Sequence, residues 1–363
     1  MACAVCGQTP EPPVSRLYLW PPAGHTRAKL RRLLGERSLS ADPRLGAHCL
    51  VAPIGDLRRF ATAVAGALLH NEQQDTRALA TDEREPVPGD FARVTTLRDL
   101  VLATQGAWVS EVLRDKRYKS VTQPIVALAD GTVFAHEFLL RGWEPGGETL
   151  TAAAMFGAAR EPRLLARLDR AARLSAVQTA ATHGLRSRTF VNFTPSAIYE
   201  PDQCLRTTVS AVQDAGIEPG RVVFEIVESE KVDDYAHLKG IVNFYRRSGF
   251  QIALDDFGTG YNNLEALFAL KPDFIKLDIQ LTRAAREAGF ARSLIGHLVT
   301  TAHVEGTRVV AEGIEDRETL ILLRELGVDY AQGYYFGRPS EHPLETIDPG
   351  LLESSAGFDV VGS

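Results

Sequence analysis

The chain is poor in sulfur, with four cysteines and two methionines in 363 residues. So few thiols exclude a disulfide scaffold. It also lacks any run of about 18 or more apolar residues, the length a helix needs to span a bilayer. The opening MACAVCGQTPEPP has neither the basic start nor the apolar stretch of a secretory signal. The expectation is a cytoplasmic chain with reduced thiols and no membrane contact. Positive charge is not in excess either, since 40 Lys and Arg face 46 Asp and Glu for a formal net charge of -6. That balance argues against a polymeric nucleic acid as partner, because such binding rests on Lys and Arg displacing counterions. Internal repeats and low-complexity segments are missing as well. What remains is an ordinary globular composition, 45% hydrophobic and 24% charged, in a chain long enough for two domains.

A polar, breaker-rich stretch, NEQQDTRALATDEREPVPGD (71–90), gives way to a helical pattern at 97–116. Residues 1–96 therefore read as a small α/β domain with a regulatory or sensory role. Its best elements are a strand RLYLW (16–20), a basic helix around 26–34 and a helix at 56–70 capped by Asp56. Residues 97–117 read as a connecting helix whose apolar stripe, Leu97, Leu100, Val101, Trp108 and Val112, needs a partner surface. Residues 118–345 form the second domain, and 346–363 a loose tail.

Within 118–345, short runs rich in Val, Ile and Phe alternate with longer amphipathic stretches, the pattern of a β/α fold. Eight strands are expected: QPIVAL (123–128), TVFAHEFLLR (132–141), TFVNF (189–193), VVFEIVE (222–228), QIALDD (251–256), FIKLDI (274–279), RVVAEGI (308–314) and YAQGYYF (330–336). Only Ala129-Asp130-Gly131 separates the first two, too short a link for a parallel crossover. The predicted fold class is thus α/β, a modified TIM-like (β/α)8 barrel with one antiparallel strand, preceded by the small α/β domain.

Polar residues at the carboxyl ends of barrel strands are the usual source of catalysis. Here Glu137, Asn192, Glu225, Asp255, Asp256, Lys276, Glu312 and Gln332 each interrupt a stretch that otherwise reads as buried β. Period-two alternation puts Glu137, Leu139 and Arg141 on one face of the second strand. Structural ion pairs would account for the acids only with basic partners in these strands, and few are available there, chiefly Arg141 and Lys276. So many converging carboxylates repel one another unless a cation joins them. Asp, Glu and Asn oxygens suit Mg²⁺ or Mn²⁺ rather than zinc. Asp255 and Asp256, adjacent on a strand, are not expected to point the same way, so one would bridge two metals while the other holds only the second. Two ions about 4 Å apart activate a water for in-line phosphoryl displacement, and Lys276 adds positive charge near the nucleophile or phosphate.

Two signals lie outside that set. Cys3-x2-Cys6 together with His48-Cys49 invites a Zn²⁺ site. The bland alternative is free cysteines, because a separation of about 40 residues exceeds common finger spacings. The basic run from His25 to Arg32 reads as a solvated helix face.

In these residues the chain resembles the EAL domain family. The triplet stands as Glu137-Phe138-Leu139 within EFLLR, followed in order by NFTP, FEIVES, LDDFGTGYNNL, FIKLD, VVAEGIED and QGYYFGRP, over about residues 118–342. The resemblance implies a modified TIM barrel that hydrolyses cyclic-di-GMP to the linear dinucleotide pGpG and pairs as a homodimer through the EAL barrel. It implies that Glu137, Asn192, Glu225 and Asp255 hold one metal, and Asp255 and Asp256 the second. Lys276 is expected to contact the attacking water, with Glu312 and Gln332 completing the network. Glu228 resembles the residue that pins the loop after the aspartate strand. Arg141 would meet a phosphate, Gln123 and Leu139 would line the site, and Asp278 and Glu315 would touch water or base. Phe138, Val227 and Asn262-Asn263 depart from the family pattern without removing a ligand, and no GG[DE]EF-like synthase signature is present. The alternatives are a non-catalytic EAL-type cyclic-di-GMP receptor or protein-interaction module, and a barrel acting on another phosphodiester.

Overall fold

The computed structural model describes residues 16–34, 45–46, 48–54, 57–82, 85–226, 235–258 and 263–352. Contacts divide the chain into two compact units, one made of residues up to 117 with 143–168, the other of 118–142 with everything from 169 onward. Among the described residues no helix is long and apolar enough to cross a membrane.

The first unit holds strands β1 (Arg16–Trp20), β2 (Leu50–Pro53), β3 (Arg77–Thr81) and β4 (Thr95–Thr96) in the order β2-β1-β3-β4, antiparallel throughout. Alternation along β1 sends Leu17 and Leu19 into one apolar cluster with Leu30, Phe60, Val64 and Val101, and Tyr18 into another with Cys49 and Leu79. Cys49 is thus a fully buried core thiol, and Cys3 and Cys6 lie outside the described residues, so nothing supports the zinc reading. The basic run lies on the helix Gly24–Leu34, where Lys29 pairs with the buried Glu72 at 2.8 Å.

The helix expected at 97–116 is two helices, Leu97–Gln105 and Ala107–Arg114, broken at Gly106. A Cβ at Gly106 would lie 2.6 Å from Leu164 Cδ2 and 2.8 Å from Ala158 O, so only glycine admits that approach. The second helix ends on Lys116 in a left-handed conformation (φ 53°), with Arg117 N–H donating to Val112 O and Lys116 N–H to Leu113 O. That is the bonding of a glycine-type helix stop with lysine in the strained position. Lys116→Gly is expected to raise stability by about 1 kcal/mol, read as a shifted denaturation midpoint at unchanged slope.

The second unit is a closed barrel. Its strands are β5 (Tyr118–Ala127) and β6 (Val133–Trp143), then, past β7 (Thr149–Thr151) of the first unit, β8 (Arg188–Phe193), β9 (Val222–Ile226), β10 (Gln251–Phe257), β11 (Phe274–Leu277), β12 (Arg308–Ala311) and β13 (Tyr330–Gln332). The order β5-β13-β12-β11-β10-β9-β8-β6 is closed by pairing of β5 with β6. The strand β5 runs antiparallel to both neighbours, and every other adjacent pair is parallel. This is the modified TIM-like barrel with one reversed strand.

Strand ends differ from expectation for local reasons. The run FIKLDI stops at Leu277 because Asp278 caps the helix Ile279–Glu287, accepting from Gln280 N–H at 2.7 Å. The run RVVAEGI stops at Ala311 ahead of Gly313, whose φ is 72°. The run YAQGYYF stops at Gln332, and β5 starts five residues before QPIVAL.

Two apolar layers hold the barrel together. One lies between strands and surrounding helices. The other fills the interior with one side chain from each strand, Ile125, Ala135, Phe190, Val223, Ala253, Phe274, Val310 and Tyr330. Parity then dictates what comes next, because side chains two residues further along each strand share that interior face.

Candidate metal centre

Two residues beyond the interior apolar layer stand Glu137, Asn192, Glu225, Asp255, Lys276, Glu312 and Gln332, and on the reversed strand Gln123, opposite Glu137. Seven of the eight barrel strands thus deliver one polar side chain to one level, and the residue that follows β12, Glu312, supplies the eighth. Lys276 sits at the centre of that level, 1% exposed, with Nζ 2.7 Å from Glu312 Oε1, 2.9 Å from Glu225 Oε1, 3.1 Å from Asp255 Oδ1 and 3.5 Å from Glu137 Oε2. Glu137 is held through both oxygens, Asn192 Nδ2 donating to Oε1 at 2.9 Å and Gln332 Nε2 to Oε2 at 2.7 Å. Gln332 Nε2 also donates to Gln123 Oε1 at 3.2 Å, and Gln123 Nε2 to Gly337 O at 3.1 Å.

Asp255 and Asp256 correct the sequence reading. Between Leu254 and Phe257, β10 carries one residue more than β11 opposite it, where Leu254 pairs with Ile275 and Phe257 with Leu277. The extra residue is a bulge with Asp256 in the left-handed region (φ 54°). Alternation fails there, and oxygens of Asp255, Asp256 and Glu312 come within 4.8 Å of one another. A left-handed aspartate stores about 1–2 kcal/mol of strain, of the kind that clusters at functional sites.

The donor set fits a hard divalent cation. Glu225 Oε2 and Gln332 Oε1 are buried without a hydrogen-bond partner, while Glu225 Oε1 and Asp255 Oδ1 have the Lys276 ammonium at 2.9 and 3.1 Å. Buried carboxylate oxygens left in that state are costly, and coordination by Mg²⁺ or Mn²⁺ satisfies them.

Burial raises Glu225 well above the usual carboxylate range, with the Glu137 and Asp255 charges adding to it. Burial likewise raises Asp255, pushes Glu312 to about 8 and, with the charge of Asp255, pushes Asp256 to about 6. Glu137 goes the other way, since Lys276 and the Gln332 and Asn192 hydrogen bonds more than offset its burial. Burial works against the Lys276 charge, but Asp255, Glu137, Glu225 and Glu312 hold its ammonium well above the ordinary lysine value.

These shifts set a pH dependence. Acids with raised folded values keep protons that the unfolded chain releases near about pH 4, so the stability they contribute is present in acid and lost as pH rises through about 6 to 8. Lys276 and Glu137 titrate outside that window. Metal-free protein is expected to melt at lower temperature at about pH 9 than at about pH 6, with Mn²⁺ removing most of the difference. A melting temperature that rose over this range in the absence of metal would contradict it.

Other expected residues lie further from this level. Leu139 and Arg141 follow Glu137 along the same face of β6, and Arg141 Nη1 donates to Leu140 O at 2.8 Å. Asp278 is engaged as a helix cap. Glu315 is exposed and paired with Arg283 at 2.9 Å. Glu228 lies outside the described residues. Sequence reasoning missed Gly333, where a Cβ would come 2.1 Å from Ile314 O and 2.3 Å from Ile314 N. The doublet of glycines flanking YYF was its only trace.

The fold and site define a class, the closed α/β barrel with one reversed strand and an acid-ringed interior. The chain belongs to the EAL domain family, whose model matches residues 107–339. It is 30% identical over 226 residues to the probable cyclic di-GMP phosphodiesterase PdeG of Escherichia coli (strain K12), a match covering 60% of this chain and 43% of that protein. It is also 30% identical over 265 residues to the cyclic di-GMP phosphodiesterase NbdA of Pseudomonas aeruginosa, covering 69% of this chain and 33% of that protein. The chain therefore spans less than half the length of these curated relatives. Among solved structures, the c-di-GMP-bound form of a standalone versatile EAL protein from Vibrio cholerae O395 superposes with a TM-score of 0.60 at 32% identity, covering 65% of this chain and 98% of that one.

Proposed function

We propose that the chain is a metal-dependent phosphodiesterase that hydrolyses cyclic-di-GMP to linear pGpG. The observation that carries this reading is the polar level of Glu137, Asn192, Glu225 and Asp255, with Asp255, Asp256 and Glu312 oxygens within 4.8 Å of one another and Glu225 Oε2 and Gln332 Oε1 buried without a hydrogen-bond partner. Glu137, Asn192, Glu225 and Asp255 would hold one Mg²⁺ or Mn²⁺, and Asp255 with Asp256 a second. Bound ions of this kind supply Lewis acidity for activating water and for the charge that develops on a phosphodiester. The protein does the aiming. Asn192 and Gln332 lock the plane of the Glu137 carboxylate through opposite oxygens. Lys276, kept protonated by its acid neighbours, offers an ammonium to the attacking water or the reacting phosphate. Gln123 keeps Gln332 in register, and Arg141, further along the face of Glu137, would meet a phosphate. Glu228 would pin the loop after the aspartates, and Glu312 completes the network beside Lys276.

A homodimer in the cytoplasm belongs to the same reading. Leu264 and Phe268, four residues apart on the helix Asn263–Leu270 and 53% and 60% exposed, favour a barrel surface that meets a second copy. Light scattering on the purified chain checks it. Residues 1–96 would then act as the regulatory domain.

Incubating the protein with cyclic-di-GMP and Mg²⁺ or Mn²⁺ is expected to yield the linear dinucleotide, resolved by chromatography. Glu137→Ala is expected to lower turnover at least about a thousandfold. Binding without product would instead identify a receptor, and product surviving Glu137→Ala would remove the site assignment.

A further inference from the structure

Away from the polar level, the barrel unit buries another ion pair. Asp169 and Arg173, four apart on the helix Pro162–Thr182, have side chains only 1% and 2% exposed. Arg173 donates from Nε and Nη2 to Asp169 Oδ2, each at 2.9 Å, and from Nη1 to Thr208 Oγ1. A buried pair of this kind is not a stabilising device by default. Desolvating both charges offsets their attraction, and well-packed apolar replacements are often neutral or better.

The other carboxylate oxygen gives the pair a more specific task. Asp169 Oδ1 accepts from Thr194 N–H at 2.8 Å. Thr194 is the first residue after β8, and among the described residues the last pair between β8 and β9 is Phe193 with Ile226. The Thr194 N–H, one residue past the strand, is captured by the helix. Two residues before it stands Asn192, whose amide donates to Glu137 Oε1. Rotation of the strand end about its own axis would turn Asn192 toward or away from the acids, because the two residues share a strand face.

We infer that Asp169 is a positioning residue for the metal centre: by holding the Thr194 N–H it fixes the end of β8 and with it the aim of Asn192, while Arg173 orients the carboxylate. This rests on the metal-centre reading above. A carboxylate that only fastens the helix to the barrel would give a different signature, a loss of stability with metal binding unchanged.

The full chain carrying D169L/R173M replaces the whole pair by apolar groups and leaves no acceptor for Thr194. It is expected to fold, by circular dichroism, and to bind Mn²⁺ at least tenfold more weakly by calorimetry. The variant D169N/R173M restores an oxygen acceptor without charge and is expected to return Mn²⁺ affinity to within about threefold of the parent. Wild-type affinity in D169L/R173M, or equal losses in both variants, would overturn the inference. Should D169L/R173M not fold, Thr194→Pro deletes the same N–H with the ion pair intact, and tenfold weaker Mn²⁺ binding supports the inference while parental affinity ends it. A parent chain that takes up no Mn²⁺ removes the metal-centre reading itself, an outcome distinct from parental uptake matched by the variants.

Discussion

Lys276→Ala is expected to lower the stability of the metal-free protein by about 3–5 kcal/mol, the usual consequence of removing one partner from a buried charge cluster. The ammonium lies within 3.5 Å of oxygens on four carboxylates, and no other basic side chain stands among the eight polar residues of that level. Without it, the acids lose the attraction that holds them below the values burial alone would impose. They must then take up protons or repel one another. The loss should deepen as pH rises, and saturating Mn²⁺ should restore much of the stability, because an ion takes over the charge balance. Turnover should stay low even when stability is restored, since the cation beside the reaction is gone, by about a hundredfold or more. Thermal melts across pH with and without Mn²⁺, together with product assays, separate the two effects. A metal-free variant as stable as its parent would show that the four contacts are not energetically linked.

Gly333→Ala should be nearly as damaging although it touches no charge. The added Cβ would meet the backbone of Ile314 at 2.1 to 2.6 Å, and that backbone has no room to retreat. Ile314 N–H donates to Gln332 O and Ile314 O accepts from Tyr335 N–H, so it is clamped on both sides of the glycine. Overpacking against a fixed backbone should lower stability by about 3 kcal/mol. The relief, where the chain still folds, comes from displacing Gln332 and the segment bearing Glu312, and a misplacement of about 1 Å at such a site lowers rate about a hundredfold. Denaturant titration and turnover of the same sample check both arms. A variant with parental activity would show that the two loops move as one body.

The strands and the polar level were legible because a buried β stretch interrupted by a charged residue or an amide is unusual, and seven of the eight interruptions, all but Asp256, fall into a single layer when the barrel closes. The reversed β5 was legible from a three-residue link. The paired direction of Asp255 and Asp256 was not, since a bulge depends on the partner strand β11, and the dipeptide alone reads as plain alternation. The break at Gly106 hid for a similar reason, because what forbids a side chain there is Leu164, distant in sequence. Lys276 was read as a group near the nucleophile, yet its central place among four acids emerges only when the strands are curled together. The expected strand ends at 279, 314 and 336 ran long because caps and glycine contacts between loops leave weaker marks than hydrophobic runs.

The apolar layer from Ile125 to Tyr330 gives the barrel a bulkhead. With one end plugged by eight side chains, the ions, water and dinucleotide of the proposed reaction would have to enter and leave through the same rim. A dinucleotide seated there would block ions held behind it, so chelators should strip metal from the empty site faster than from the filled one.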